Sequence, residues 1–372
     1  MSSLEDHITA LEDEIRKTQY NKATQGHIGR LRAKIAVLKL EREARAKGKG
    51  GGSGYSVRKS GHATVGLVGY PSVGKSTLLT RLTGAASETG AYDFTTVSII
   101  PGMLRWGGAS IQILDMPGLV PGAAKGRGRG REVLSVVRSV DLVLFLIDPE
   151  HTDFTALKTE LEGAGVRINT RPPKIVVTKA DRGGLTVSST VKLTHLGGGL
   201  AADIAREFGL HNGQLVFRED ATADQLIDVL AGNRVYEHAI LAVNKCELLS
   251  PAQREALAVR LLEFHPRFIS AKERIALPDL VEAIGHALQF IRIYVKPPGE
   301  EPDMDEPVIL RRGQKISDLL KRLPTELDAG FKASQVWGKS ARFPGQTVGR
   351  DHPLADEDIV TIVVQRGVRA GS

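Results

Sequence analysis

The chain has 372 residues, of which 41% are hydrophobic and 25% are charged, and its formal net charge is +7. This length exceeds one ordinary hydrophobic core and predicts roughly two to four domains. The one cysteine, Cys246, excludes an intramolecular disulfide and a cysteine-based zinc site. No apolar stretch approaches the roughly 20 residues of a membrane span, and the first residues lack the layout of a signal peptide. We therefore predict a cytoplasmic protein with no membrane partner.

The positive charge is concentrated near the N-terminus. Residues 1–60 hold 13 Lys and Arg against 7 Asp and Glu, and from Arg16 to Lys59 the balance is 13 against 2. This segment favours an anionic partner, of which nucleic acid is the commonest. Few aromatic residues accompany the charges, so contacts to phosphate are expected rather than base stacking. A solvated basic face without a partner is the alternative.

In chain order, the apolar pattern changes from helical to strand-like after residue 60. Spacings of three and four residues predict two helices, arranged as a hairpin, within residues 3–47. A glycine-rich linker follows over residues 47–54. Strand-like and helical runs then alternate, which predicts a parallel α/β sheet. The candidate strands of this sheet are residues 63–68, 110–114, 141–147, 174–178, 238–243 and 267–269.

Two further segments depart from this alternation. Residues 183–235 are too long for a connection in a compact α/β domain, and they contain helix-like runs, which predicts an inserted subdomain. Residues 308–368 mix short strands with one helix and predict a small α+β domain. The predicted domains are therefore a basic helical hairpin with its linker (1–60), a core (61–182 and 236–290), an insert (183–235) and a C-terminal domain (291–372).

The first strand is followed by a phosphate-binding motif, Gly69-Tyr-Pro-Ser-Val-Gly-Lys-Ser-Thr77. The spacing G-x-x-x-x-G-K-[ST] between a strand and a helix is typical of a loop whose backbone N–H groups surround nucleotide phosphates. We expect Lys75 to reach the β- and γ-phosphates and the Ser76 hydroxyl to bind Mg²⁺. The residues predicted to line the phosphates are Gly69, Pro71, Ser72, Val73, Gly74, Lys75, Ser76 and Thr77.

Two downstream segments complete the predicted phosphate and metal site. Asp115 begins a D-x-x-G sequence at the end of a strand and is expected to hold Mg²⁺, usually through water, while the Gly118 N–H contacts the γ-phosphate. A threonine in the loop before the second strand can bind Mg²⁺ and the γ-phosphate together. Thr96 completes the predicted metal set with Ser76 and Asp115, although Thr95 could serve in its place. Lys75, Thr95, Thr96 and Gly118 form the predicted catalytic group.

Two tetrapeptides compete for base recognition. Thr178-Lys-Ala-Asp181 has the acid that best accepts two guanine N–H groups, whereas Asn244-Lys-Cys-Glu247 has the better amide. The motif Ser270-Ala-Lys272 begins 26 residues after Asn244 but 92 after Thr178. Because one helix and one loop separate such motifs, the spacing favours the second tetrapeptide. The predicted base site therefore consists of Asn244, Lys245 and Glu247 with Ser270, Ala271 and Lys272.

These motifs together resemble the developmentally regulated GTP-binding protein family of Obg-like GTPases, over nearly the whole length. The segments that carry the resemblance include Tyr92-Asp-Phe-Thr-Thr96, Asp115-Met-Pro-Gly-Leu119, Gly126-Arg-Gly-Arg-Gly-Arg131, Asp220-Ala-Thr-Ala-Asp224, Gly232-Asn-Arg-Val-Tyr236, Gln335-Val-Trp-Gly338 and Gly349-Arg-Asp-His352. The resemblance implies an α/β P-loop GTPase core with an N-terminal helical hairpin. It also implies an insert like the second domain of ribosomal protein S5 and a C-terminal β-grasp (TGS) domain.

The resemblance further implies GTP/GDP and Mg²⁺ as ligands, slow intrinsic hydrolysis and association with the ribosome or ribosomal RNA. A dedicated regulatory protein and a monomeric state complete these expectations. Two departures from the family pattern stand out: Glu247 replaces an aspartate, and Pro121 replaces an acidic residue. Leu119 is hydrophobic, as in the family, whereas ordinary GTPases place a water-orienting glutamine nearby. Without that amide, a partner or K⁺ would have to assist hydrolysis, and K⁺ stays open because Ser72 occupies the position of the usual asparagine.

Two other interpretations stay open. The first is an ATP-preferring NTPase, because the longer Glu247 side chain could loosen the contact with guanine. The second is an RNA- or ribosome-binding adaptor whose nucleotide site is largely structural.

Overall fold

A computed structural model describes residues 4–19, 21, 24–48, 60–84, 100–117 and 135–365. The chain divides into two compact units. The insert unit consists of residues 1–54 and 165–236, and the core unit consists of residues 55–164 and 237–372. The predicted site residues Thr95, Thr96 and Gly118 lie outside the described residues, as do Leu119 and Pro121.

The helices and strands are numbered here in chain order. The first are α1 (Leu4–Lys17), α2 (Gln25–Gly48), β1 (Ala63–Gly69), α3 (Lys75–Thr83), β2 (Ile100–Trp106), β3 (Ala109–Asp115), β4 (Leu142–Ile147) and α4 (Phe154–Gly163). Next come β5 (Val166–Ile168), β6 (Ile175–Lys179), β7 (Leu185–Ser189), α5 (Gly198–Glu207), β8 (Gly213–Phe217) and α6 (Ala223–Ala231). Then follow β9 (Val235–Val243), α7 (Pro251–Arg260), β10 (Arg267–Phe268), α8 (Leu277–Ala287), β11 (Phe290–Val295) and β12 (Val308–Arg311). The last are α9 (Ile316–Leu320), α10 (Thr325–Ala329), β13 (Phe331–Trp337), β14 (Gln346–Val348) and β15 (Asp358–Val364).

The core unit is built on a mostly parallel sheet. Six of its strands lie in the order β10-β9-β4-β1-β3-β2, and all of these pairs are parallel except β2 with β3. Strands β1 and β4 are buried along their whole length, as expected for strands covered on both faces. The carboxyl ends of β1, β3, β4 and β9 therefore meet at one edge, where ligands bind in open α/β sheets.

The C-terminal part of the core unit is a five-stranded mixed sheet. Its order is β12-β11-β15-β13-β14, in which only β11 and β15 are parallel. Helix α9 buries Ile316, Leu319 and Leu320 in its apolar core. The hairpin of β2 and β3 contacts this region, since Trp106 stacks on Phe290 with the ring centroids 6.3 Å apart.

Among the described residues, the insert unit contains a small three-stranded sheet and four helices. Strand β8 lies between β6, to which it is antiparallel, and β7, to which it is parallel. Helix α2 packs against α5 and α6, and its Ala33 and Ala36 belong to the apolar core around Leu215 and Phe217. The predicted helical hairpin therefore shares a core with the insert, even though about 120 residues of sequence separate them.

Several basic side chains of α2 have acidic partners within this unit. Arg30 lies 3.4 Å from an Asp203 oxygen, and Arg32 lies 2.6 Å from an Asp224 oxygen. The predicted basic face is therefore partly neutralised by the insert. Within the described part of the chain, every helix lacks the length or the apolar surface that spanning a bilayer demands.

One predicted strand of the parallel sheet lies elsewhere. Residues 174–178 were expected in the core, but β6 (Ile175–Lys179) pairs antiparallel with β8 in the small sheet. The compact units also divide at residue 165 rather than at the predicted residue 183. A short apolar run cannot reveal which sheet it joins, because its pairing depends on a partner strand distant in sequence.

Candidate nucleotide-binding site

The loop between β1 and α3 depends on two glycines. A Cβ atom added at Gly69 would overlap the backbone oxygen of Leu146, on the neighbouring strand β4. Gly74 has a φ of +94° and begins α3, and a Cβ there would overlap the Nδ2 atom of Asn244. Larger side chains at either position would therefore separate elements that the sheet brings together. Ser72, with a φ of +62°, adds a second left-handed turn to this loop.

The Lys75 side chain lies inside the curve of this loop. Its ammonium group donates hydrogen bonds to the backbone oxygens of Tyr70 at 2.9 Å and Gly69 at 3.3 Å. Burial lowers the pKa of Lys75 from its ordinary value, and the nearby Asp115 carboxylate opposes this shift. The loop's own carbonyl groups thus hold the cation where the sequence predicts phosphates.

Ser76 and Asp115 lie together, as the predicted metal site requires. The Ser76 hydroxyl donates a hydrogen bond to Oδ2 of Asp115. The other carboxylate oxygen, Oδ1, is buried and has no hydrogen-bond partner in the described part of the chain. Burial raises the pKa of Asp115, whereas Ser76 and Lys75 act in the opposite direction. A buried, partly unsatisfied carboxylate beside a hydroxyl fits the oxygen ligands that Mg²⁺ prefers.

Asn244 connects three of the predicted motifs. Its Nδ2 atom donates to the backbone oxygen of Val73, and its Oδ1 atom accepts from the Ala271 N–H, each at 2.9 Å. Asn244 is 3% exposed, and the adjacent Ser270 accepts a hydrogen bond from the Glu273 N–H. The phosphate loop and the two candidate base motifs are therefore joined at the ends of β1, β9 and β10.

The competing tetrapeptide has a different location. Thr178 lies in β6, in the small sheet of the insert unit. Its strand pairs with β8 and not with the strands that carry Gly69 and Asp115. The structure therefore brings Asn244 to the predicted phosphate loop through hydrogen bonds, whereas Thr178 belongs to the other compact unit.

The remaining base-site residues surround this junction. Glu247 is exposed within a 3₁₀ turn formed by Cys246–Leu248, and Lys272 is exposed in the loop after β10. Lys245 has a left-handed backbone with a φ of +58°. Its ammonium group lies 2.5 Å from Oδ2 of Asp148, a residue that sequence analysis missed.

Asp148 follows the last residue of β4 and is fully buried. Its Oδ1 atom accepts hydrogen bonds from both the backbone N–H and the ring Nδ1 of His151, each at 2.9 Å. Burial alone would raise the pKa of Asp148, but the bonds from Lys245 and His151 outweigh it and hold the pKa below its usual value. The available sequence signal was an aspartate directly after an apolar strand, at the ligand-binding edge of the sheet.

Comparisons with known proteins agree with this arrangement. A family described as 50S ribosome-binding GTPase matches residues 64–179, the C-terminal region of the same family matches residues 182–290, and the TGS domain matches residues 291–364. An uncharacterized GTP-binding protein of Methanocaldococcus jannaschii is 49% identical over 98% of this chain and 93% of its own length.

Two further relatives have more specific names. Developmentally-regulated G-protein 3 of Arabidopsis thaliana is 43% identical over 98% of this chain and 99% of its own length. Ribosome-interacting GTPase 1 of Saccharomyces cerevisiae is 42% identical over 98% of this chain and its own full length. The α/β P-loop fold, the guanine-nucleotide ligand and GTP hydrolysis are thereby confirmed. This chain belongs to the developmentally regulated GTP-binding protein family, whose members carry a P-loop GTPase core and a C-terminal TGS domain.

Proposed function

We propose that the chain is a Mg²⁺-dependent switch that binds and slowly hydrolyses GTP on or near the ribosome. The observation that carries this proposal is the position of Asn244, which bonds both the phosphate loop and the Ala271 backbone. A side chain with this pair of contacts ties the base site to the phosphate site, as a nucleotide switch requires.

The proposed roles follow from the contacts of each residue. Lys75 leaves the carbonyl groups of its loop and donates to the β- and γ-phosphates. Ser76 and Asp115 hold Mg²⁺, which when bound neutralises charge on the phosphate oxygens. The proposed roles of Thr95, Thr96 and Gly118 at the γ-phosphate rest on their sequence motifs alone. Slow hydrolysis follows from Leu119, since no amide side chain stands there to orient water.

Guanine is the base that the family relationship favours over adenine. We assign its N1–H and N2–H groups to the carboxylate of Glu247, and its O6 to the backbone N–H groups of residues 270–272. The exposed position of Glu247 leaves its carboxylate free to point toward a ligand. Because Glu is one methylene longer than Asp, the contact is expected to be made with a different side-chain rotamer.

The test is direct binding of GTP and ATP to nucleotide-free protein with Mg²⁺. Wild type is expected to bind GTP at least tenfold more tightly, about 1.4 kcal/mol. Glu247→Ala should remove most of this difference, whereas Glu263→Ala, at another exposed glutamate outside the motifs, should preserve it. Equal affinities of the wild-type protein for GTP and ATP would refute guanine selection by this site.

Ribosome association is supported by the names of the matched family and of the yeast relative. Arg30 and Arg32 pair with aspartates of the insert, which reduces the positive charge of α2 that is available to contact RNA. Cosedimentation with ribosomes at increasing salt is the test, because phosphate contacts predict a steep loss of affinity. GTP hydrolysis that ribosomes and K⁺ leave unchanged, with nucleotide retained through purification, would favour the adaptor instead.

A further inference from the structure

The buried carboxylate of Asp148 joins two parts of the nucleotide site that are far apart in sequence. One oxygen pairs with the ammonium group of Lys245 at 2.5 Å, and the other accepts both hydrogen bonds from His151. Asp148 is 0% exposed. Full burial of a charged group is costly unless its hydrogen bonds are satisfied, and here both oxygens are satisfied by residues of the site.

His151 extends this connection to the phosphate loop. Its ring lies against the ring of Tyr70, with the centroids 5.7 Å apart and the planes inclined by 30°. The backbone oxygen of Tyr70 accepts a hydrogen bond from Lys75, and the Tyr70 hydroxyl donates to the backbone oxygen of Asp153. The segment that follows β4 thus contacts both the ring and the hydroxyl of Tyr70.

Lys245 contributes a strained backbone conformation to this network. Its left-handed φ of +58° is unfavourable for a residue that has a Cβ atom. Lys245 lies between Asn244, which bonds the phosphate loop, and the 3₁₀ turn that contains Glu247. A fixed ammonium group at Lys245 therefore stabilises the backbone from which both base-recognition side chains project.

We propose that Asp148 is a positioning residue for guanine nucleotides, which acts through Lys245 on the base motif and through His151 on the phosphate loop. This inference rests on the proposed function, because Lys245 must belong to the base site. It assigns Asp148 no direct contact with the ligand. Loss of its charge should weaken the binding of GDP by loosening Lys245.

A double-mutant cycle on GDP affinity tests this coupling. Asp148→Asn is expected to weaken GDP binding about tenfold, and Lys245→Ala by a similar or larger factor. In the Lys245→Ala protein, adding Asp148→Asn should change the affinity by less than twofold, because the ammonium group is already gone and the amide oxygen of the new asparagine still accepts the hydrogen bonds from His151. His151→Ala should produce a smaller loss, about threefold, since Lys245 keeps its partner.

Unfolding by urea, without nucleotide, separates this role from simple stabilisation. Lys245→Ala leaves Asp148 buried without its cation, so the added Asp148→Asn change should restore stability while GDP affinity stays low. The matched control is Asp141→Asn, just before β4, where the carboxylate pairs with Arg311 at 2.9 Å. That variant should lose stability and keep its GDP affinity.

The outcomes are distinct. An equal loss of GDP affinity from Asp148→Asn in the wild-type and Lys245→Ala backgrounds would overturn the inference, while guanine binding itself would stand. Wild-type protein that binds GDP no more tightly than ADP would instead refute the proposed function. The positioning role is supported if Asp148→Asn lowers GDP affinity tenfold in the wild-type protein and leaves it unchanged in the Lys245→Ala protein.

Discussion

Replacing Gly74 with alanine would test whether the phosphate loop and Asn244 are mutually dependent. The φ of +94° at Gly74 costs an alanine about 1–2 kcal/mol. The new methyl group would also overlap Nδ2 of Asn244 and break its hydrogen bond to the Val73 carbonyl. A buried acceptor left without its partner costs about 1–3 kcal/mol. The expected total loss in the free energy of unfolding is therefore about 2–5 kcal/mol.

Urea unfolding of the nucleotide-free protein measures this loss. Gly313→Ala is the matched control, because Gly313 has a φ of +87° in the same unit and no atom lies within 4 Å of the added Cβ. That variant should lose only about 1–2 kcal/mol from the backbone. GDP affinity should fall in Gly74→Ala and stay unchanged in Gly313→Ala. Equal losses of stability in the two variants would refute the contact between the loop and Asn244.

Three other predictions concern the metal site and one helical glycine in each of the two units. Burial raises the pKa of Asp115, so the folded protein holds this proton more tightly than the unfolded chain does. The resulting stabilisation is complete below the ordinary carboxyl pKa, and it is lost as the pH rises through the raised pKa of the folded state. Asp115→Asn should therefore stabilise the nucleotide-free protein at neutral pH while it abolishes the Mg²⁺ dependence of GTP binding, and destabilisation would contradict this sign. Gly285→Ala in α8 would overlap the Trp106 ring and should cost about 1–3 kcal/mol. Gly26→Ala in α2, where nothing lies within 4 Å, should instead stabilise by about 0.4–1 kcal/mol, and urea titration of both proteins distinguishes the two.

The residues that could be predicted from sequence are those whose role depends on local spacing. The loop from Gly69 to Thr77 and the strand before Asp115 lie where the motifs indicate, because a strand, a turn and a helix are set by neighbouring residues. The choice of Asn244 over Thr178 followed from spacing alone, and the hydrogen bonds to Val73 and Ala271 support it.

The residues that sequence analysis missed are important because of contacts between distant segments. Asp148 and His151 belong to no motif, and their importance depends on Lys245 and Tyr70 arriving at the same edge of the sheet. The basic character of α2 was evident, but its acidic partners lie in the insert, and charge counts along the chain do not show pairing. The sequence predicted a strand over residues 174–178, but it did not reveal that this strand pairs with β8 in the small sheet.

The shared core of α2 and the insert has a consequence for synthesis of the chain. Ala33 and Ala36 are made first, yet other residues of the same apolar core, such as Leu215 and Phe217, emerge from the ribosome about 180 residues later. Ordering contacts of such wide sequence separation is slow, and exposed apolar surface is prone to aggregation in the meantime. We therefore expect the first two helices of a nascent chain to complete their packing only after the insert has been translated.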